Sequence, residues 1–156
     1  MFDIDGTLTP KPIAFLSVRE HAASAVRLYA DSGYKIIYLS ARVRILQSGI
    51  PDWLKQNHFP EGSIHVPQSL ADSSDHAAFK ARILKQYSDK GWSFVAAYGD
   101  STSDFEAYAA AGIKQDRVFA LQREGATACE PEAVLWSACL NSWNEHQIKI
   151  GQIVQR

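Results

Sequence analysis

Phe2-Asp3-Ile4-Asp5-Gly6-Thr7-Leu8-Thr9 reads as a strand that ends in two carboxylates and runs straight into a glycine turn. Carboxylates two residues apart at a strand end cannot both ionise cheaply unless a cation shares them. Magnesium binding joined to covalent phosphoryl transfer is one use for such a pair. One aspartate attacks phosphorus to give an acyl phosphate, and the other supplies a proton to the leaving oxygen. A plain turn built from Asp and Gly is the bland alternative. A calcium loop is another, but an EF-hand needs Glu at its twelfth position, where Ala14 stands. A motif this specific arises by chance on the order of once per million windows.

Outward from this stretch, strands alternate with helices. From Ile13 to Ser32 the pattern is helical, with Val18, Ala22, Ala25, Val26 and Tyr29 on one face, and Gly33 ends it. Tyr34 to Leu39 reads as a buried strand, Ile45 to Asn57 as a helix closed by the Phe59–Gly62 turn, and Ser63 to Val66 as a short strand. The polar stretch Gln68 to Asp75 reads as a connection. Ser74 or Asp75 can cap a helix through Gln86. Phe94 to Tyr98 is a further strand, Ser103 to Ala111 a further helix, and Arg117 to Leu121 the last strand of the regular part. Beyond Gln122 the pattern allows a helix from Glu132 to Trp143 and a final strand from Ile148 to Val154. This alternation predicts an α/β fold: a Rossmann-like, doubly wound parallel sheet in a single domain spanning 1–156, with its core in 1–121 and 122–156 as an extension packed on that core. Ligands of such sheets sit outside the carboxyl ends of the strands. Those ends carry Asp3 and Asp5, then Ser40, then Asp100.

Composition narrows the classes. The 156 residues are 46% hydrophobic and 21% charged, ordinary for a globular domain. Sixteen basic and seventeen acidic side chains leave a net charge of −1, without the basic excess of a nucleic-acid binder. Cys129 and Cys139, ten apart and without clustered histidine, signal neither a zinc site nor a disulfide, and fit a reducing compartment. The five histidines show no ligand spacing. The apolar runs are too short for a transmembrane segment, and no signal peptide precedes the first motif.

Three further elements gain meaning beside the first. Gly99-Asp100-Ser101-Thr102-Ser103-Asp104 puts one carboxylate after a buried strand and another in the first turn of a helix. Magnesium takes oxygen ligands and only a few carboxylates, so Asp100 suits the metal, while Asp104 alone suits the helix dipole equally well. Ser40 ends a strand, where its hydroxyl can hold a phosphate oxygen or merely shape a turn. Lys80 lies on an amphipathic helix, where a lone lysine is usually solvated.

An acid pair on the first strand, a hydroxyl on the second, a lysine and a closing pair of carboxylates resemble, in this order, the haloacid-dehalogenase superfamily of phosphotransferases. The resemblance covers about residues 1 to 121. It implies that Asp3 is the nucleophile and a metal ligand, and that Asp5 is the general acid and then base, with its backbone carbonyl on the metal. Gly6 and Thr7 would shape the turn, with Thr7 near the substrate phosphate. Ser40 and Lys80 would bind the transferring group, Asp100 would complete the Mg2+ site, and Asp104 would support the metal shell or Lys80. Only Pro10-Lys11-Pro12 separates the first motif from its helix, and Lys80 to Phe94 holds no insert, so the fold is expected to be capless. The stretches Gly33 to Arg42, Trp53 to Gly62 and Val95 to Gly99 look like the catalytic domain of lipin-type phosphatidate phosphatases, and equally like the related domain of membrane-associated phosphatidylinositol-transfer proteins. In the transfer-protein branch the catalytic aspartates are degraded, whereas here Asp3, Asp5, Thr7, Thr9, Asp100 and Asp104 are all present. Arg42 and Arg44 would then flank a substrate phosphate or lipid headgroups.

The expected function is a Mg2+-dependent phosphomonoester hydrolase working through an aspartyl-phosphate, cytoplasmic and peripheral to a membrane if its phosphorylated substrate is phosphatidate or another lipid. A phosphatase of soluble sugar phosphates or nucleotides, with its site closed by a second subunit, is the first alternative. A non-catalytic phosphatidate-binding module is the other. Only Met1 and Phe2 precede Asp3, so the first strand is expected to be stunted or to begin upstream. No basic amphipathic helix for membrane docking is visible, and Trp136 and Trp143 read as core or oligomer contacts rather than membrane anchors.

Overall fold

The computed structural model describes residues 1–130 and 135–155. Its strands are β1 (Phe2–Asp3), β2 (Ile37–Leu39), β3 (Ser63–His65), β4 (Ala97–Gly99), β5 (Val118–Leu121) and β6 (Ala138–Leu140). They form one sheet in the order β3-β2-β1-β4-β5-β6, with every pair parallel. The helices are α1 (Ala22–Asp31), α2 (Ile50–Gln56), α3 (Leu70–Ser74), α4 (His76–Asp89), α5 (Thr102–Ala110) and α6 (Trp143–Val154). The chain winds outward from β1 to β3, then restarts at β4 on the other side of β1. The crevice between β1 and β4 is therefore the topological switch point, the usual place for a ligand.

Side-chain alternation sorts the two faces of the sheet. Phe2 stands opposite Tyr38 and Tyr98, and Tyr98 opposite Phe119, so one aromatic row crosses four adjacent strands. Phe2 stacks on Tyr98 at 5.0 Å and Tyr98 on Phe119 at 5.2 Å. The row packs against α1 and α6 through Ala25, Val26, Tyr29, Trp143 and Ile150. Its phenols are satisfied: Tyr38 donates to the Pro60 carbonyl, and Tyr98 shares hydrogen bonds with Tyr29 and His146. On the other face, Ile37, Leu39, Ala97, Val118 and Ala120 pack against Phe79, Ile83 and Leu84 of α4 and Phe105 and Tyr108 of α5.

Several expected boundaries move. The helix predicted from Ile13 begins only at Ala22. The residues before it are laid across the sheet's end, where the Arg19 N–H donates to the Leu8 carbonyl, and His21 takes a left-handed φ of 62°. The stretch Gln68 to Asp75 is not mere connection, since α3 forms there with Ser69 as its cap. Asp75 caps α4, which runs past Gln86 to Asp89.

The C-terminal reading needs more correction. The helix expected over Glu132–Trp143 falls partly outside the described residues, and its described part holds β6 instead. The strand expected over Ile148–Val154 is the end of α6. Ser142 and Glu145 form a reciprocal capping box there, and Trp143, His146 and Ile150 recur with a helical period on the buried side. The period-two run of isoleucines imitated a strand. Residues beyond 121 also supply the sixth strand and the fully buried Trp143. Cys129 and Cys139 form a disulfide, which their spacing did not signal. Parallel pairing sets Cys139 opposite Ala120, and Cys129 folds back until its sulfur reaches the Ala120 carbonyl, so tertiary pairing brings the thiols together.

Candidate active site

β1 ends at Asp3, and the chain turns at once. The Thr7, Leu8 and Thr9 N–H groups all point to the Ile4 carbonyl, while the Gly6 N–H donates to Thr9 Oγ1 at 2.8 Å. Gly6 has φ +89°, and a Cβ there would come within 2.0 Å of an Asp100 carboxylate oxygen. Glycine is thus required both by the turn and by the close approach of the second motif. Arg19 binds the outside of the turn, donating to the carbonyls of Thr9, Gly6 and Gln122. Trp143 Nε1 donates to the Thr7 carbonyl at 3.1 Å.

Within this frame Asp3, Asp100 and Asp104 place one carboxylate oxygen each within 4.8 Å of one another, all buried. Asp104 is fixed by the start of α5. Its Oδ2 accepts from the Asp100 and Ser101 N–H groups and from the Ser101 hydroxyl. Lys80, buried on α4, donates to Asp3 Oδ1 at 2.5 Å and to Asp104 Oδ1. Asp3 Oδ2 accepts from the Thr7 hydroxyl at 2.9 Å, and Asp100 Oδ2 from Arg123 Nε at 2.6 Å. Three carboxylates thus face two cations, leaving the cluster one negative charge in excess.

The proton affinities follow from this imbalance. Burial, and then the Asp104 charge, push Asp3 well above the usual carboxylate range despite Lys80. The same two causes raise Asp100 to about 6. Burial also acts against ionised Asp104, but the Lys80 charge and the donated hydrogen bonds outweigh it, and Asp104 is held low. Lys80 is likewise disfavoured by burial, yet Asp104 and Asp3 hold its affinity above the ordinary lysine range. An oxygen-only donor set with surplus negative charge suits a hard divalent cation.

The Asp5 carboxylate lies outside that cluster. Its Oδ2 accepts from Ser40 Oγ and its Oδ1 from Arg42 Nε, both at 2.7 Å. The Arg42 guanidinium lies over the Phe15 ring, 4.9 Å from its centroid, and its buried Nη2 has no partner among the described residues. A buried, unpaired guanidinium donor calls for an anion. Asp3, Asp5, Arg42, Lys80, Asp100 and Asp104 line one pocket of about 360 Å³ together with Pro12, Phe15, His76 and Arg123. A larger groove, about 970 Å³, lies at the amino end of the strands beside Tyr34, Trp92 and Phe94.

Asp3, Asp5, Thr7, Ser40, Arg42, Lys80, Asp100 and Asp104 therefore converge at one end of the sheet, as the order of motifs led one to expect. Arg44 is exposed and makes no contact with the cluster. Sequence reasoning missed Arg123, which has no motif around it and reaches Asp100 only because β5 neighbours β4. It also missed Arg19 and Phe15, hidden in a segment whose apolar spacing imitates a helix.

The family model described as PITM 1-3, LNS2 domain, matches residues 1–122. Protein retinal degeneration B of Drosophila melanogaster is 31% identical over 129 residues, covering 80% of this chain and 10% of its own length. Membrane-associated phosphatidylinositol transfer protein 3 of Mus musculus is 31% identical over 128 residues, covering 79% of this chain and 13% of its own. Protein 2 of the same name from Homo sapiens is 32% identical over 127 residues, with 79% and 9% covered. The chain spans about a tenth of the length of these curated relatives. Among solved structures, a cobalt-bound deoxy-D-mannose-octulosonate 8-phosphate phosphatase from Haemophilus influenzae superposes with a TM-score of 0.59 at 19% identity, over 99% of this chain and 86% of that one. At that identity the likeness is one of fold, the haloacid-dehalogenase type.

Proposed function

This chain belongs to the LNS2 domain family of the PITM 1-3 proteins, and we propose that it is a Mg2+-dependent phosphomonoester hydrolase rather than an inert relative of one. The observation that supports this most is the complete carboxylate set: Asp3, Asp100 and Asp104 clustered at the switch point, with Asp5 held separately by Ser40 and Arg42. Asp3 and Asp100, with the Asp5 backbone carbonyl, would hold the metal, which when bound neutralises the phosphoryl oxygens and Asp3. Asp3 attacks phosphorus through a carboxylate oxygen, forming the aspartyl-phosphate as the ester oxygen departs. Asp5 gives that oxygen its proton, then takes one from the water that hydrolyses the acyl phosphate. Ser40, Lys80, Thr7 and the unpaired Arg42 Nη2 hold the phosphoryl oxygens in line, the main requirement of this chemistry. Asp104 acts through Lys80 and the Asp100 backbone, as a positioning residue.

Phosphatidate or another lipid phosphate is the favoured substrate. The phosphatidylinositol transfer proteins among the relatives are named as membrane-associated, and no described segment inserts a cap domain over the pocket. A cytoplasmic, membrane-peripheral setting belongs to this reading. No helix among the described residues is long and apolar enough to cross a membrane. In a cytoplasm, glutathione would work against the Cys129–Cys139 bond.

One observation favours a second reading. Lys80 and Arg123 already cover Asp3, Asp104 and Asp100, an arrangement that a phosphatidate-binding module without turnover could also use. Phosphate release measured with magnesium, on phosphatidate in mixed micelles beside soluble phosphomonoesters, separates the readings. Turnover of the lipid, lost in Asp3→Asn and on chelation, is the expected result. Turnover of soluble esters alone would keep the chemistry and discard the lipid. Binding of phosphatidate without release, unchanged in Asp3→Asn, would replace the enzyme with the module.

A further inference from the structure

The loops that leave the carboxyl ends of β1, β2 and β3 expose large apolar side chains around the pocket mouth. Ile13 is 77% exposed, Leu16 90%, Ile45 85% and Leu70 90%. These loops form one continuous margin. The Arg42 guanidinium stacked on Phe15 ties the first loop to the second, and Gln47 Nε2, donating to the carbonyls of Arg42 and Pro67, ties the second to the third. Phe15 and Pro12 line the pocket itself, so the apolar margin begins where the charged interior ends. Large aliphatic side chains held this far into water in a cluster mark a contact surface rather than ordinary scatter.

Charge selects what that surface meets. Residues 6–19 and 40–51 contain no acidic side chain, and among them Lys11 and Arg44 are exposed. The third loop, by contrast, carries Asp72, paired with Arg82, and the exposed Asp75, so the cationic part of the margin is that of the first two loops. An isologous contact between two copies through these two loops would gather two sets of Lys11 and Arg44 into one interface with no acidic side chain from residues 6–19 and 40–51 to pair them, a like-charge penalty. An anionic bilayer offers the complementary partner: negative headgroups for Lys11 and Arg44, and hydrocarbon for Ile13, Leu16 and Ile45. A lipid lying there would present its phosphate to Arg42 and Lys80 while its chains stayed along the margin.

We infer that the loop tips carrying Ile13, Leu16 and Ile45, with Lys11 and Arg44 beside them, form a membrane-docking surface that seats the pocket mouth on an anionic bilayer. The inference rests on the phosphomonoesterase reading for its orientation, but docking can be measured apart from turnover. Lys11 and Arg44 steer the approach and hold the headgroup plane. The three aliphatic tips enter below it. Docking by folded loop tips would also account for the lack of a basic amphipathic helix in the sequence.

The test uses the full chain and the triple variant Ile13→Asp, Leu16→Asp, Ile45→Asp, sedimented with phosphatidylcholine vesicles that contain or lack phosphatidylserine. Both are phosphodiesters, so neither probes the monoester pocket. Wild type is expected to sediment with the phosphatidylserine vesicles. The variant's partition should fall by roughly tenfold or more, with its melting temperature and its turnover of p-nitrophenyl phosphate unchanged. Vesicle binding that depends on the loop tips in a protein that hydrolyses no ester would uphold docking while removing the hydrolase reading. Equal sedimentation of variant and wild type would overturn the inference, as would failure of wild type to bind phosphatidylserine vesicles. A wild-type dimer that the variant dissociates, with no vesicle binding by either, would reassign the margin to a second copy of the chain.

Discussion

One step along the chain separates the most settled part of this sheet from the least. Phe2 and Tyr98 lie in a row of stacked rings with every phenol satisfied. Asp3 follows Phe2, and Asp100 follows Tyr98 by two residues; both are buried carboxylates pushed toward their protonated forms by burial and a neighbouring charge. The row sets the position of the strand ends, and those ends hold carboxylates within 4.8 Å of one another where burial makes their repulsion stronger than it would be in water. Rigidity one or two residues upstream is what allows a charged cluster to stay assembled, so the placement of these carboxylates rests on aromatic packing.

The comparison predicts that damage to the two regions is separable. The largest effect is expected at the charged end. Asp3→Asn should lower phosphate release by on the order of 10³-fold or more while the melting temperature stays level or rises, because a buried like charge is removed. A matching loss of stability would mean that Asp3 is structural. In the aromatic region the signs reverse. Trp143→Ala should cost about 3–5 kcal/mol in denaturant unfolding through the cavity it leaves. Trp143→Phe should cost less, about 1 kcal/mol of it from the lost hydrogen bond to the Thr7 carbonyl. If Trp143→Ala instead abolished turnover in a protein of normal stability, α6 would belong to the site rather than to its support.

Gly6→Ala tests the junction between the regions. The added methyl meets Asp100 and the left-handed turn costs about 1–2 kcal/mol, so both stability and calorimetric affinity for magnesium should fall. The smallest effect concerns pH. Burial beside Tyr98 and Phe119, then the Lys149 charge, lower His146 to about 4 from its ordinary 6.5. The unfolded chain therefore takes up this proton more readily than the native one. The stability linked to neutral His146 is intact above pH 6.5 and is lost as the pH falls toward 4. Metal-free Asp100, raised to about 6, opposes this trend in the same window, so the diagnostic quantity is the difference between proteins. The melting temperature of His146→Gln minus that of wild type should therefore rise as the pH falls from 6.5 to 4, and parallel curves would remove His146 from the account.

Up to residue 121 the pattern is largely legible, because strand ends and glycine turns are local features. Asp3-Ile4-Asp5-Gly6 and Gly99-Asp100 each announce a strand running into a turn, and parallel winding then brings the two together without further information. Legibility fails where chemistry is set by distant partners. Ile13 to Val18 has helical spacing, yet Arg19 is drawn to carbonyls of the first turn and of Gln122, and the segment becomes a margin of the site. Ile148 to Val154 alternates like a strand, but a capping box and the fit of Ile150 beneath the sheet make it a helix.

The sequence by itself determined the α/β alternation, the end of the sheet where the charges gather, and the eight side chains that converge there, because each depends on residue type and nearby spacing. Only the tertiary structure decided that Arg123 covers Asp100, that Trp143 buttresses the turn at Thr7, that Cys129 meets Cys139, and that Ile13, Leu16 and Ile45 stand in water around the pocket. Those contacts join residues up to 136 positions apart in the chain. Strand order settles them, and local periodicity carries no information about which strands become neighbours.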